Sequence, residues 1–397
     1  MSDALSETTQ QRGHMLRFAW LNVVLYASVS VLFPYLPVYF EVRGLRPSQI
    51  GLLLGAVEVA GICAPFLITP LADRSGRYRS LMAILILLSS ASLFLMHQSQ
   101  LFSIVLVAVT VFGITYRPQL PLTDAIVGHG LADATKDFGK VRLWGTVSFI
   151  VISLFIRFTG VFSEASNNRL FLSFQLSLLL FLLALPLVPP VQASPKKTGG
   201  ACSQSKRNEF KILLPLIVIG FLGNIGFGAY QSFAPLYFTR VAGASAVAGF
   251  YAVAAVAEIP AMLFAGRIVK KIGHRGMIII AFVASILRWG LMALELPPSL
   301  LVMSQLLHCG NYALFLLAGI DWVNTKIHPE RRAWGMGVVS AFCFGAPQFL
   351  GSLAGGYLLE HGGFARLFGT AALFPALALL WILFDQRILK DSHLDGK

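Results

Sequence analysis

Charge is what this sequence has least of. Only 12% of its 397 residues are charged, about half of the roughly 25% usual in soluble domains. Hydrophobic residues make up 56%. A chain this apolar has too little polar surface to face water all round, so lipid is its solvent. Cysteine is sparse as well. Cys63, Cys202, Cys309 and Cys343 are the four present, and none shares a metal-site or disulfide spacing with another. They read as small apolar residues. No phosphate-binding loop, metal-ligand cluster or nucleophile elbow occurs. ATP-driven pumping and membrane-enzyme chemistry thus have no support in the sequence, and neither metal nor organic cofactor is expected. Met1 to His14 lack the short apolar core and small-residue cleavage site of a removable leader.

Long apolar runs are what the chain has instead. They fall at 16–40, 48–70, 80–97, 101–126, 139–160 and 168–188, then at 211–239, 245–265, 276–295, 298–321, 335–359 and 364–385. Each is near the ~20 residues a helix needs to cross hydrocarbon. Backbone polar groups in lipid must be satisfied within their own segment, so these runs are helices. The expected fold is an all-α integral membrane protein of twelve helices. The stretch 189–210, PPVQASPKKTGGACSQSKRNEF, reads as a flexible cytoplasmic linker. It divides an N-terminal six-helix half, 1–188, from a C-terminal half, 211–397.

The formal net charge is +13, yet its distribution is not that of a nucleic-acid binder. Arg74, Arg77 and Arg79, then Lys136, Lys140 and Arg142, then Lys196, Lys197, Lys206 and Arg207 fall in alternate connections. Arg267, Lys270, Lys271 and Arg275 continue the series, as do Arg331 and Arg332. The other connections hold little beyond Arg43, Arg46, Arg157, Arg169, Arg240 and Arg366. This positive-inside bias places both termini in the cytoplasm and makes the number of spans even. The location expected is a cell's inner (plasma) membrane, with the lipid bilayer as partner and the monomer as working unit.

The halves repeat one another. Leu36-Pro-Val-Tyr-Phe40 returns as Ala234-Pro-Leu-Tyr-Phe238, and Gly51 returns as Gly249. Leu71-Ala-Asp-Arg-Ser-Gly76 is echoed by Ile268-Val-Lys-Lys-Ile-Gly273, and Asp124 by Asp321, all at nearly one offset. Duplicated halves are a usual build of secondary transporters, whose solute site lies near the midplane.

Ionisable groups inside spans are expensive and mark function. Asp124 closes one apolar run and Arg142 opens the next. Together they form a solute or gating pair, or a salt bridge at the cytoplasmic edge. Glu258 lies mid-span in AVAAVAEIPAMLF. With Arg288 it is a candidate for proton coupling, or else a fixed structural bridge. Glu58 shares a face with Gly51 and Gly55, and is either a second proton site or a partner of Arg117. His308, Gln305 and Tyr312 share one helix face. Asn224, Gln231 and Pro235 share another, as do Asn22 and Tyr26; such polar residues line a cavity or bond helix to helix. Tyr35, Tyr39, Phe149 and Trp289 are aromatic candidates for flanking a ring-shaped solute. Gly345, Gly351, Gly355 and Gly356 read as a packing seam.

Leu71-Ala-Asp-Arg-Ser-Gly-Arg-Tyr-Arg79 resembles the cytoplasmic loop signature of the major facilitator superfamily. Its Asp73, Arg74, Gly76 and Arg77 are the conformational gating residues this implies. Pro121-Leu-Thr-Asp-Ala125, Asp137-Phe-Gly-Lys-Val-Arg-Leu-Trp-Gly145 and Gln305-Leu-Leu-His-Cys-Gly310 are similar to the phenylpropionate-permease-like branch, related to the lactose and nucleoside proton symporters. By resemblance to lactose permease, Asp124 and Arg142 stand where its fourth-helix acid and fifth-helix Arg hold the sugar. Glu258, Arg288 and His308 match its eighth-, ninth- and tenth-helix ionisable residues. The chain departs from that pattern at Phe149, in place of a stacking Trp. It departs again at Asn311, in place of the acid carrying the coupling proton. Asn224 and Gln231 lie where seventh-helix acids would be.

The resemblance implies two pseudo-symmetric halves and alternating access. The expected function is proton-coupled symport of a small polar organic solute, such as an aromatic carboxylate, nucleoside or sugar, with the proton gradient as energy source. Asp124, Arg142, His308, Phe149, Asn224, Gln231 and Gln305 are the expected solute contacts. Glu258, Arg288 and Glu58 are the expected proton carriers. Proton-driven efflux and a non-transporting sensor with the same fold are the alternatives.

Overall fold

The computed structural model describes residues 2–131, 133–189 and 203–384. Every regular element among them is helical. The first six long segments are α1 (Ser2–Val42), α2 (Pro47–Ser75), α3 (Tyr78–Gln98), α4 (Phe102–Gly130), α5 (Ala134–Thr159) and α6 (Asn167–Ala184). Then come α7 (Ser203–Ala242), α8 (Ala244–Leu263), α9 (Ala265–Ala293) and α10 (Pro298–Lys326). The last apolar segment, Trp334–Phe384, has 51 residues, far beyond the ~20 one crossing needs. It breaks at Gly363 into α11 (334–362) and α12 (364–384). Eleven apolar segments, the last divided in two, give twelve crossings among the described residues.

Two elements differ from the reading of the sequence. Residues 203–210, expected in the linker, are the opening turns of α7. Polar composition does not separate a loop from a helix that projects past the bilayer. The rest of that linker, residues 190–202 with Lys196, Lys197 and Cys202, lies outside the described residues, as do residues 385–397. The run 101–126 is interrupted at Arg117-Pro118, between helices Phe102–Tyr116 and Gln119–Gly130. Pro118 has no N–H for the helical ladder.

The chain turns sharply where glycine permits it. Six glycines have positive φ, and they form three pairs across the two halves. Gly44 (78°) pairs with Gly243 (84°), Gly76 (64°) with Gly273 (63°), and Gly160 (64°) with Gly363 (70°). At Gly273 and Gly363, ψ is 177° and −174°, a region essentially reserved for glycine. The repeat seen in side chains is therefore also a repeat of backbone corners.

Large apolar side chains cover much of the outside: Phe158 is 82% exposed, Leu263 74% and Phe384 86%. In water this would be a liability; against acyl chains it is the expected surface.

Two compact units make up the chain. One comprises Met1–Gly44, Val59–Lys197 and Ala244–Ala252; the other comprises Leu45–Glu58, Thr198–Gly243 and Val253–Lys397. In the second unit, the first turns of α2 pack against α11. A Cβ at Gly51 would strike the Ser352 carbonyl, and one at Gly356 would strike the Pro47 carbonyl. Gly351 is as close to the α7 backbone at Ile225 and Gly228, where the Ser232 and Ser352 hydroxyls are 2.7 Å apart. At Gly351 and Gly356 the glycine seam expected in α11 is a backbone-to-backbone approach, whereas Gly355 faces the Phe233 ring. The Glu360 carboxylate accepts the Ser48 amide at 3.1 Å, placing negative charge at the start of α2, where the helix dipole favours it. An apolar core of Leu216, Met277, Phe282, Phe315, Trp322 and Cys343 fills the interior of this unit. Beneath it Arg331 is ion-paired to Glu209, both side chains about nine-tenths buried.

In the first unit, Tyr35 donates to the Ala244 carbonyl at 3.0 Å. Arg43 reaches the Met96 and Ser99 carbonyls and so closes the end of α3. The His97 ring stacks on Phe171 at 4.0 Å.

Gly273→Ala should lower the unfolding free energy by about 1–3 kcal/mol, the cost of a side chain in that backbone region. Gly290→Ala is the control, because a Cβ there meets nothing within 4 Å. Thermal melts of both variants in detergent should separate them; equal melting temperatures would remove the corner from the account.

Candidate functional site

Arg288, on α9, has 0% relative exposure. A guanidinium so deep in an apolar span needs compensation on every side, and four side chains supply it. Its Nη1 donates to His308 Nδ1 at 2.7 Å and to Asn311 Oδ1 at 3.1 Å. Its Nη2 donates to the Tyr230 hydroxyl and to Gln305 Oε1. The Tyr230 ring lies under the guanidinium, 4.2 Å from centroid to Cζ, adding a cation–π attraction. Glu258, on α8, enters through the histidine: its Oε1 lies 2.7 Å from His308 Nε2. Charge balance between Glu258 and Arg288 thus runs through a histidine ring.

The helix that carries three of these residues is irregular where they sit. In α10 a 3-10 turn, Gln305–Leu307, leads through His308 into a π turn, Cys309–Leu314. A π turn is locally wider than an α turn and occurs often at functional sites. Here it brings Gln305, His308 and Asn311 to one guanidinium. Tyr312 stacks on the His308 ring at 5.3 Å with a 4° interplanar angle. Phe227 stacks beyond, 5.6 Å from Tyr312.

A second charged pair lies in the other unit. Arg142 Nε is 3.3 Å from Asp124 Oδ1. The angles do not make this a hydrogen bond, so it is a loose electrostatic contact. Both side chains are about one-third exposed. The Arg142 guanidinium lies over the Tyr26 ring at 4.4 Å, and Gly145 gives Tyr26 its space on α5. Arg142 therefore presents a stacked, planar donor fork.

The loop Asp73–Arg77 is built as a turn. Tyr78 donates to Asp73 Oδ1 at 2.6 Å, Gly76 takes the left-handed corner, and Arg74 and Arg77 are exposed. Asp321, the repeat counterpart of Asp124, meets His274 Nε2 at 2.7 Å.

Of the residues singled out in the sequence, Glu258, Arg288, His308 and Gln305 are brought together. His308, read as a solute contact, bonds to Glu258 and Arg288, the residues read as proton carriers. Gln231 and Phe149 are half-buried and stand outside the network, and Glu58 is half-buried on α2. Asn224 bonds helix to helix, its amide donating to the Cys343 carbonyl at 2.8 Å beside a second π turn, Ser340–Gly345. Of the aromatics read as flanking a ring-shaped solute or as packing, Tyr35, Tyr39 and Trp289 are fully buried, at 0% exposure. Tyr230 was not singled out; one phenol among ten tyrosines carries no sequence signal.

A family model described as MFS_1 like family matches residues 15–370. The probable 3-phenylpropionic acid transporter of Escherichia coli K12 is 27% identical over 364 residues, covering 89% of this chain and 94% of that one. Nucleoside permease NupG of Escherichia coli K12 is 24% identical over 370 residues, 86% of each chain. Among solved structures, that of nucleoside transporter NupG superposes with a TM-score of 0.79 at 18% identity, covering 93% of this chain and 98% of that one. A partially occluded, inward-open structure of the xylose transporter XylE from E. coli gives 0.68 at 15%, covering 98% and 99%. At such identities these structures speak for the fold.

Arg142→Met should leave the Asp124 carboxylate without its counter-ion and lower both folded yield and melting temperature. Asp124→Asn with Arg142→Gln should restore folding, because no unpaired charge remains. Solute uptake measured in that folded double variant should still be lost. Full uptake would reduce the pair to a structural bridge.

Proposed function

We propose, from the premise that the chain belongs to the MFS_1 like family, that it takes up a small organic carboxylate together with a proton by alternating access. The chain is a multi-pass membrane transporter of small solutes, and its relatives are transporters and permeases rather than enzymes. One observation carries the finer reading: the buried Arg288–His308–Glu258 network, in which a titratable ring separates a fixed cation from a carboxylate. A cation held this way suits an anionic cargo, and the ring and the carboxylate suit a proton. The similarity to a probable 3-phenylpropionic acid transporter supports an aromatic carboxylate as the first solute to test.

Arg142 and Asp124 are a separate candidate solute contact within the first unit, presenting donors and an acceptor to a polar group. That pair, stacked on Tyr26, also suits paired hydroxyls. A nucleoside, as carried by the similar permease NupG, is therefore the second reading. The loop Asp73–Arg77 is the gating element. The proton gradient is the energy source, and the monomer is the working unit. The basic connections support an inner-membrane protein with both termini on the cytoplasmic side. The two sequence halves, 1–188 and 211–397, are the repeats.

Purified protein in lightly buffered liposomes provides the test. Adding 3-phenylpropionate outside should make the external medium alkaline, and Glu258→Gln should abolish the change. A flat trace with binding retained would point to exchange, uniport or sensing and end the symport reading. A response to nucleosides alone would select the second cargo.

A further inference from the structure

The hydrogen bonds around His308 fix its state. Arg288 Nη1 donates to Nδ1 at 2.7 Å, and a guanidinium has no acceptor. Nδ1 therefore carries no proton, and the neutral ring bears its hydrogen on Nε2, directed at Glu258 Oε1. The tautomer is assigned here from the donor opposite it. Asn311 is oriented by the same logic: Oδ1 faces Arg288 Nη1 at 3.1 Å. That leaves Asn311 Nδ2 buried with no hydrogen-bond partner.

A third distance makes the arrangement bistable. Nδ1 and Asn311 Oδ1 are 3.2 Å apart. With Nδ1 bare, it and Asn311 Oδ1 accept the two hydrogens of Arg288 Nη1. A proton placed on Nδ1 would confront the Arg288 donor, but it would find Oδ1 already within reach. Resting on the symport reading above, we infer that His308 is a proton-operated latch on Arg288, with Asn311 as the alternate acceptor. One proton enters at Nδ1 and nothing else is exchanged. Nε2–H stays on the Glu258 carboxylate, Nδ1–H turns to Asn311 Oδ1, and Arg288 Nη1 is released toward the solute.

The charges then name the cargo. Glu258 on α8, Arg288 on α9 and Tyr312 on α10 face the His308 ring, and the phenol of Tyr230 on α7 faces Arg288. With the carboxylate ionised and the ring and phenols neutral, one negative and one positive charge cancel. The bound proton leaves the cluster at +1, which one monocarboxylate restores to zero. The solute carboxylate is held by the released Arg288 Nη1 and by Asn311 Nδ2. Proton binding precedes or accompanies solute binding, and each cycle moves one proton with one monoanion, electroneutrally. At its present 0% exposure Arg288 is covered, so the latch has to open before an anion reaches it.

The wild-type protein in nanodiscs, labelled with 15N-histidine, tests this directly. Eight histidines are present, and the His308→Gln difference spectrum assigns the ring. At alkaline pH without solute, His308 should show the Nε2–H neutral tautomer. Adding 3-phenylpropionate at that pH should convert it to the doubly protonated form. A solute-free Nδ1–H tautomer, or a ring that stays neutral with solute bound, would overturn the latch.

Binding affords a second test that needs no assignment. Where the ring is neutral, the Kd for 3-phenylpropionate should rise about tenfold per pH unit, the linkage slope for one proton. Asn311→Ala should move that curve to lower pH with the slope kept, and wild-type behaviour in Asn311→Ala would remove Asn311 from the device. Absence of any 3-phenylpropionate binding would overturn the monocarboxylate assignment. The two readings fail separately. Normal ring behaviour with no solute-driven proton flux in liposomes would sink the symport reading alone. Proton flux with the wrong tautomer would sink the latch alone.

Discussion

A positive charge sealed inside hydrocarbon is the constraint on which the second unit is built. Insertion scales put an isolated arginine at a span's centre near +3 kcal/mol, and both terminal nitrogens of Arg288 are hydrogen-bonded. Tyr230 from α7, Gln305 and Asn311 from α10, and Glu258 from α8 through His308 all turn toward it. Those side chains fix the relative placement of four helices. The π turn of α10 is the local adjustment that lets one helix contribute three of them. The same unit holds Arg331 against Glu209 and His274 against Asp321. Where charge is scarce, each charged group organises its neighbourhood.

The two charged sites differ in kind. Around Arg288 the bonds are short, numerous and shielded. Around Arg142 there is one loose contact, a supporting ring and partial exposure. A shielded network holds a protonation state against solvent, whereas an open stacked fork is suited to releasing what it holds.

Much of this was legible in residue order, for physical reasons. The cost of charge in lipid made Glu258, Arg288, His308 and Asp124 conspicuous, because each interrupts an otherwise apolar run. Apolar length set the crossings, and the repeated Gly76 and Gly273 anticipated matching corners. Periodicity put Gln305 on the His308 face, and Asn311, three residues on, shares it. Aromatic residues were a different matter. Tyr35, Tyr39 and Trp289 fill the interior while Tyr230 holds the arginine, and nothing in their neighbours' identities separates the two roles. The opening turns of α7 read as linker because a helix extending beyond the membrane has the same polar composition as a loop.

The units do not coincide with the order of synthesis. Residues 244–252 complete a unit otherwise made of the first half, and residues 45–58 wait for helices of the second. The earlier unit therefore stays unfinished until α8 has emerged, long after α6 has entered the bilayer. The first turns of α2 spend that interval without α11, exposing the Gly51 groove to lipid. A chain that stops before Ala244 therefore leaves both units without a segment they contain.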